Sequence, residues 1–307
     1  MDKIRLGKTN FDVSRLGLGC MTIGTEEKTA RKILEAALEA GITYFDTADL
    51  YDFGKNEEIV GKHLAPHLND VVIATKVGNH FEQGREGWFW DPSKTYIKEA
   101  VKRSCGRLGV DQIQLCQLHG GTIEDPIEET IEAFEELVEE GWILHYGLSS
   151  IRPNVIQTYA ETSRIASVMV QHSLLDRRPE ETVLPLLAEK GISGIARGSV
   201  AKGILTNKAP NEWAQKLQEN GFLQYSYQEL VELTEELKKR FDDKSLLSLA
   251  LQYTLGQSGI SVACVGSSSA DQVKETVRTF EAPGLSDDEI QVLQSLTVEQ
   301  VYEEHRL

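Results

Sequence analysis

The chain has 307 residues, 40% of them hydrophobic and 26% charged, an ordinary balance for a globular protein that buries a core. Length alone fits either one large barrel or two ordinary domains. Forty-eight acidic residues against 32 basic ones give a net charge of −16, which argues against nucleic acid or an anionic membrane surface as a partner.

The first residues, Met1-Asp2-Lys3-Ile4-Arg5, form no apolar signal core, and no run approaches the length of a membrane-spanning helix. The cysteines, Cys20, Cys105, Cys116 and Cys264, make no C-x-x-C pair and no Cys/His cluster of zinc spacing, so no metal is expected. Such sparse cysteine usage fits a reducing cytosol, and a cytoplasmic protein is expected.

In chain order, residues 1–14 read as a small β-hairpin. Eight strands follow, at Arg15–Leu18, Thr43–Phe45, Val71–Thr75, Ile113–Leu118, Trp142–Leu148, Ser167–Val170, Ile192–Ala196 and Ser261–Val265. Helices are expected near 26–40, 56–64, 93–108, 127–140, 153–161, 180–189, 227–255 (as two pieces) and 270–280. One pattern recurs: an amphipathic stretch, then glycine, then a short apolar run, as at Gly41, Gly109, Gly141 and Gly191. Glycine ends a helix in the left-handed turn at little steric cost, so each case reads as helix, turn, strand. Asp91-Pro92, Asp125-Pro126 and Arg178-Pro179 read as helix starts, with proline at the first helical position and aspartate as the cap. Glu180 and Glu181 then fall where the helix dipole favours acid.

Strict strand–helix alternation argues for a parallel sheet, and eight such units in this length close into a (β/α)8 TIM barrel. With no low-complexity linker, residues 1–307 read as one domain. The acidic tail from Glu299 to Leu307 reads as a frayed helix end. The fingerprint-like Gly17-x-Gly19-x-x-Thr22 suggests a dinucleotide turn, but its third glycine is missing and the strand count favours the barrel.

Chemistry in such a barrel sits at the carboxyl ends of the strands. Those positions hold Asp46 with Tyr51 just beyond, Lys76, His119, Ser149-Ser150, Gln171-His172, Arg197, and Gly266 through Ser269. A lone strand-end Asp, Lys or His is usually a loop ion pair or a cap. Four on neighbouring strands of one face are harder to explain that way. A lysine and an aspartate in a barrel mouth survive desolvation as a hydrogen-bonded pair. A tyrosine beside them feels the ammonium, which lowers its pKa and suits it to hand a proton to a carbonyl oxygen. A histidine opposite polarises the same oxygen.

These residues resemble the aldo-keto reductase family, in particular bacterial members. The resemblance rests on Phe45-Asp46-Thr47-Ala48-Asp49-Leu50-Tyr51 with Gly54-Lys55-Asn56-Glu57, on Ala74-Thr75-Lys76, on Gln117-Leu118-His119, and on Gly17-Leu18-Gly19-Cys20-Met21. It runs from about residue 3 to about residue 280. It implies Tyr51 as general acid, Lys76 as the group lowering its pKa, Asp46 holding Lys76, and His119 positioning the carbonyl. It implies NADPH as cofactor, with NADH as the alternative. The nicotinamide amide would meet Ser149, Ser150 and Gln171, and Arg197 would lie against the ring. Gly19, Cys20, Met21 and Asp46 would line the same trough. Gly198, Ser199, Val200, Ala201, Lys202 and Gly203, with Gly266, Ser268 and Gln272, would hold the pyrophosphate and adenosine end.

Two departures stand out. Many relatives carry an aromatic ring where Arg197 stands; a guanidinium also stacks, but brings charge. A basic residue often follows the last strand in relatives that prefer the phosphorylated cofactor, and here that position is Ser268. Serine hydroxyls and a helix N-terminus still bind phosphate, with less discrimination against NADH.

On the substrate side, the insertion 78–90 carries His80, Phe81, Trp88, Phe89 and Trp90. Met21, Tyr51, Trp88, Trp90 and His119 are the expected pocket for a small-molecule carbonyl compound. The segment 207–226, with Trp213 and Phe222, reads as a second loop or lid. Two other functions compete: a cofactor-binding regulatory module with little turnover, and a barrel enzyme forming a Schiff base on Lys76. The barrel is large enough to be stable alone, so a monomer is the default.

Overall fold

Strands β1 (Lys3–Arg5) and β2 (Asp12–Ser14) pair antiparallel, with Ile4 opposite Val13. This is the expected hairpin. Leu6 and Val13 are fully buried and share one cluster with Tyr44, Leu115, Met169, Ile195 and Val262, all from barrel strands. Gly7 donates its backbone N–H to Ser193 at 2.7 Å, and its α-carbon lies so near the Ala166 carbonyl that any side chain would collide with it. The hairpin therefore plugs one end of the barrel and leaves the other for the site.

The computed structural model describes residues 1–82 and 87–306. Its centre is a closed eight-stranded parallel barrel of β3 (Leu16–Gly19), β4 (Tyr44–Asp46), β5 (Val72–Val77), β8 (Ile113–Leu118), β9 (Ile143–Ser149), β10 (Ser167–Gln171), β11 (Ser193–Arg197) and β12 (Ile260–Gly266). Between β5 and β8, β6 (Asn79–His80) and β7 (Phe89–Trp90) form a short antiparallel ribbon. The ribbon carries the insertion 78–90, of which residues 83–86 lie outside the described residues. Around the barrel run α1 (Glu27–Glu39), α2 (Lys55–Leu64), α3 (Lys94–Leu108), α4 (Ile127–Glu139), α5 (Pro153–Thr162), α6 (Val183–Lys190), α7 (Gln215–Asn220), α8 (Tyr227–Arg240), α9 (Leu246–Gly256) and α10 (Ala270–Phe280). Two helices were not anticipated: α7, inside the segment read as a loop or lid, and a further one, α11 (Asp287–Leu296).

The eight strands lie within a residue or two of their expected spans, four of them (β4, β8, β9 and β11) beginning shortly after the expected glycines Gly41, Gly109, Gly141 and Gly191. Gly109 and Gly191 cap α3 and α6 in the left-handed region, at φ of 67° and 65°. The helix starts need correction. Asp91 does not cap α3: Ser93 does, accepting from the Tyr96 N–H. Asp91 instead accepts from the Ser93 N–H and meets His80. Asp125 accepts from the Thr122 N–H and the Trp90 indole, and α4 has no side-chain cap. Arg178-Pro179 opens only a single 3-10 turn; α6 begins at Val183. Glu180 is held there by Arg177, His172 and Tyr253, three tertiary partners that outcompete a helix end.

The C-terminal stretch also differs from expectation. Residues 297–306 are not helical, and Leu307 lies outside the described residues. Gln300 is buried, accepting from the Arg177 N–H and donating to the Leu175 carbonyl, and Tyr302 is 6% exposed. Buried hydrogen bonds dock this segment on the chain after β10. The segment 207–226 is anchored too: Trp213, Leu217 and Phe222 are buried in a second cluster with α8, α9 and α11.

Two mouth loops share an unusual backbone. After Tyr51, Asp52, Phe53 and Gly54 have φ of 48°, 52° and 90°; after Val200, Ala201, Lys202 and Gly203 have φ of 47°, 56° and 92°. Each is a single left-handed curl ending in glycine. Among the described residues no helix is long and apolar enough to cross a membrane.

Candidate active site

β4 and β5 are neighbours, with Asp46 in register with Ala74. Side chains alternate along a strand, so Asp46 and Lys76 both point into the barrel. Lys76 is 1% exposed and Asp46 4%. The Lys76 Nζ donates to Asp46 Oδ2 at 2.6 Å, to the Thr47 carbonyl at 2.8 Å and to the Tyr51 hydroxyl at 3.2 Å. Gln117 Nε2 donates to the other carboxylate oxygen at 3.4 Å. Burial disfavours the ammonium, but the Asp46 carboxylate and Tyr51 outweigh it and hold the Lys76 pKa above that of an ordinary lysine.

Tyr51 reaches the pair from the loop after β4, and the ammonium also lies 4.9 Å from its ring centroid. Burial is the larger effect on its pKa and pushes the Tyr51 hydroxyl above the ordinary tyrosine value; Lys76 acts in the expected direction and lowers it, without overcoming this. Tyr51 thus keeps its proton at neutral pH. Since its oxygen already accepts from Lys76, the O–H remains to be donated elsewhere.

His119 follows β8 and stands edge-on to Tyr51, with ring centroids 6.0 Å apart. Burial, then the Lys76 and Arg197 charges, push its pKa down to about 3. The ring is therefore neutral, and its buried Nδ1 has no partner among the described residues. Asp46, Tyr51, Lys76 and His119, the four expected catalytic residues, meet in one cluster.

A supporting layer lies behind them. Thr47 donates to Asn56 Oδ1 at 2.7 Å, and Asn56 Nδ2 donates to the Cys20 carbonyl at 2.9 Å. This ties the Tyr51 loop to the end of β3. Asn56 belongs to the Gly54-Lys55-Asn56-Glu57 motif, which drew attention in the sequence without any role for this residue.

The remaining expected positions divide by side-chain access. Gln171 and Arg197, adjacent in register, are bonded at 2.9 Å; Ser149 ends the neighbouring β9 and Ser150 follows it. Ser199 is 1% exposed, and its hydroxyl has no partner among the described residues. Gly198, Lys202 and Gly266 are open, whereas Ala201 is buried in the second cluster and Val200 packs against the barrel core, leaving mainly their backbone. Ser268 donates from both its N–H and its hydroxyl to Gln272 Oε1, and no cation takes part. Gly19 lies close to Gly266. The Cys20 side chain is fully buried, and burial raises its thiol pKa. Cys105, Cys116 and Cys264 are likewise buried free thiols. His172 is buried against Glu180, a structural contact.

On the substrate side, Met21 and Trp88 are 61% and 55% exposed. Trp90 is packed more firmly: its indole donates to Asp125 at 3.0 Å, and its ring fills the space beside Gly78 and Gly120. A separate cavity of about 550 Å³ lies on the barrel flank, lined by Asp49, Phe53, Phe81, Tyr96, Arg103 and Arg107 among others, and by none of the four clustered residues.

Comparison with known proteins gives the family and the fold. A sequence model described as the Aldo/keto reductase family matches residues 15–297. The YqkF oxidoreductase of Bacillus subtilis is 51% identical over 306 residues, covering all of both chains. The holo form of the aldo-keto reductase AKR11C1 from Bacillus halodurans superposes with a TM-score of 0.94 at 52% identity, covering all of both chains. Its apo form, also covered in full, gives 0.86 at 48% identity.

Proposed function

The chain belongs to the aldo/keto reductase family and is an NAD(P)H-dependent oxidoreductase, and from that premise we propose that it reduces an aldehyde or ketone to the alcohol with Tyr51 as proton donor and NADPH as preferred cofactor. The observation that carries this reading is the Lys76 ammonium bonded at once to Asp46 and Tyr51. The cofactor supplies the hydride. Tyr51 hands its O–H proton to the carbonyl oxygen, and Lys76 stabilises the phenolate that remains. Asp46 and the Thr47 carbonyl hold Lys76 in place. His119, kept neutral, donates one hydrogen bond to the same oxygen without competing as an acid.

The residues fit a dinucleotide. The unpartnered Ser199 hydroxyl and the glycine-lined curl of 198–203 suit a pyrophosphate, and the N-terminus of α10 adds dipole and N–H groups. Ser149, Ser150 and Gln171 would take the carboxamide, with Arg197 beside the ring. Gly19, Met21 and the Cys20 backbone would border it. Gly266, Ser268 and Gln272 would face the adenosine end, where NADH remains the competing cofactor. Met21, Trp88 and Trp90 would wall the carbonyl substrate.

The test is NADPH absorbance with a reactive aromatic aldehyde, for wild type and Tyr51→Phe, repeated with NADH. Loss of turnover in the variant with cofactor affinity retained supports the acid. Cofactor binding without turnover in either protein, across several carbonyls, moves the assignment to a regulatory binding module.

A further inference from the structure

Strand β10 ends at Gln171, and the chain turns back at once. Ser173 and Asp176 exchange backbone hydrogen bonds of 3.2 and 3.0 Å, which returns Asp176 to the side of Gln171. Asp176 is fully buried. Arg178 grips its carboxylate as a fork, Nε to Oδ1 and Nη2 to Oδ2, both at 2.7 Å. The Arg178 guanidinium in turn lies 5.2 Å from the Tyr302 ring centroid. Gln171 Nε2 donates to Asp176 Oδ2 at 2.7 Å, and Gln171 Oε1 accepts from Arg197 Nη1 at 2.9 Å.

A glutamine amide has nearly the same shape either way round, so its partners decide which end faces where. Here both partners give one answer. A carboxylate in a guanidinium fork only accepts, and a guanidinium only donates. Turning Gln171 over would set its NH2 against Arg197 and its oxygen against Asp176, converting two hydrogen bonds into two repulsions.

We propose that Asp176, fixed by Arg178, is a positioning residue that locks the Gln171 carbonyl oxygen toward the barrel mouth, so that position 171 reads the NH2 of the cofactor carboxamide. This rests on the reading that the carboxamide lies at Gln171. The oxygen has two lone pairs, so the bond from Arg197 leaves one for that NH2. Ser149 and Ser150 are then the groups left to donate to the carboxamide carbonyl. The site therefore discriminates against a cofactor that keeps the carbonyl and loses the NH2, as the 3-acetylpyridine analogue does.

The experiment measures dissociation constants of NADP+ and of its oxidised 3-acetylpyridine analogue by calorimetry. Wild type is expected to favour NADP+ by about tenfold, the scale of one well-made hydrogen bond against an unmet one. In Asp176→Asn one acceptor becomes a donor, and Gln171 keeps only Arg197 of the two partners that fix its orientation. NADP+ should then weaken by about tenfold and the analogue by less than about twofold, so the preference collapses. Equal weakening of both ligands would mark a merely structural role and overturn the proposal. So would unchanged affinity for both, if Gln171→Met still weakens NADP+. Should Gln171→Met leave NADP+ affinity unaltered, the placement of the carboxamide at Gln171 is what fails, and the proposal falls with it. If Asp176→Asn does not fold, Arg178→Lys, which removes one arm of the fork, should shift the same ratio in the same direction by a smaller factor; an unshifted ratio counts against the proposal.

Discussion

Thr75 and Lys76 are consecutive on β5 and face opposite sides of it, and each meets a buried acid. Outward, Thr75 donates to Glu57, whose other oxygen accepts from Arg107 at 2.7 Å and Ser104 at 3.2 Å. Inward, Lys76 meets Asp46 at 2.6 Å. The ingredients are alike, and both acids use both carboxylate oxygens, Glu57 through Thr75, Arg107 and Ser104 and Asp46 through Lys76 and Gln117, so the difference lies beyond the acid itself. The inner assembly stops short: the Tyr51 proton is uncommitted and His119 Nδ1 is unpartnered. A buried ion pair is thus an anchor or a reactive centre according to the hydrogen-bonding capacity left at its edge.

Lys76→Met should break this contrast most severely. It strands the Asp46 charge, at about 3–5 kcal/mol of folding stability by urea titration. It also removes phenolate stabilisation, so turnover of the folded fraction should fall by roughly a thousandfold. Tyr51→Phe separates the two effects: a similar loss of kcat with the melting temperature nearly unchanged. Glu57→Gln is the mirror experiment. It should lower stability by about 2 kcal/mol, since Arg107 reaches solvent at the edge, while kcat of the folded protein stays within about twofold. If Glu57→Gln abolishes turnover in a fully folded sample, the division into anchor and reactive centre is wrong.

A pH experiment sharpens the inner half. His119 has a folded-state pKa depressed from 6.5 to about 3, so its contribution to stability is present above 6.5 and lost as pH falls toward 3. The loss should reach about 1.4 kcal/mol per pH unit in that window, and His119→Gln should remove that part of the slope. Because the Tyr51 pKa is raised, kcat for reduction should stay flat through neutral pH and fall only above the ordinary tyrosine value of 10. The smallest effect concerns Arg197. A guanidinium beside a cationic nicotinamide is unfavourable, so Arg197→Tyr should improve the affinity for oxidised relative to reduced cofactor by about threefold. An unchanged ratio would remove that role.

The barrel was legible because glycine-terminated helices and strand alternation depend on local chemistry. The four clustered residues were legible because barrel geometry assigns chemistry to one end of each strand. The sign of the Tyr51 shift was not, since burial competes with charge and burial is a property of the folded molecule. The caps at Asp91 and Asp125 failed for the same reason: His80 and Trp90, brought near by the β6–β7 ribbon, claim those carboxylates. The helix α11 is a different case. Ser286 and Glu289 form a capping box there, a local signal that the sequence carries without any strand or site to draw on it. Asp176 and Arg178 carry no signal of their own, because only the tight turn after β10 gives them meaning.

The paired left-handed curls at 52–54 and 201–203 have a consequence for chemical synthesis. Four of those six positions, Asp52, Phe53, Ala201 and Lys202, hold L-residues at φ between 47° and 56°, a region costing roughly 1 kcal/mol for each ordinary side chain. For a residue of mirror-image handedness the preference inverts. A semisynthetic chain carrying D-alanine at position 201 should therefore be more stable than its all-L counterpart, provided the inverted methyl fits its buried surroundings. The exposed Lys202 offers the same relief without that condition.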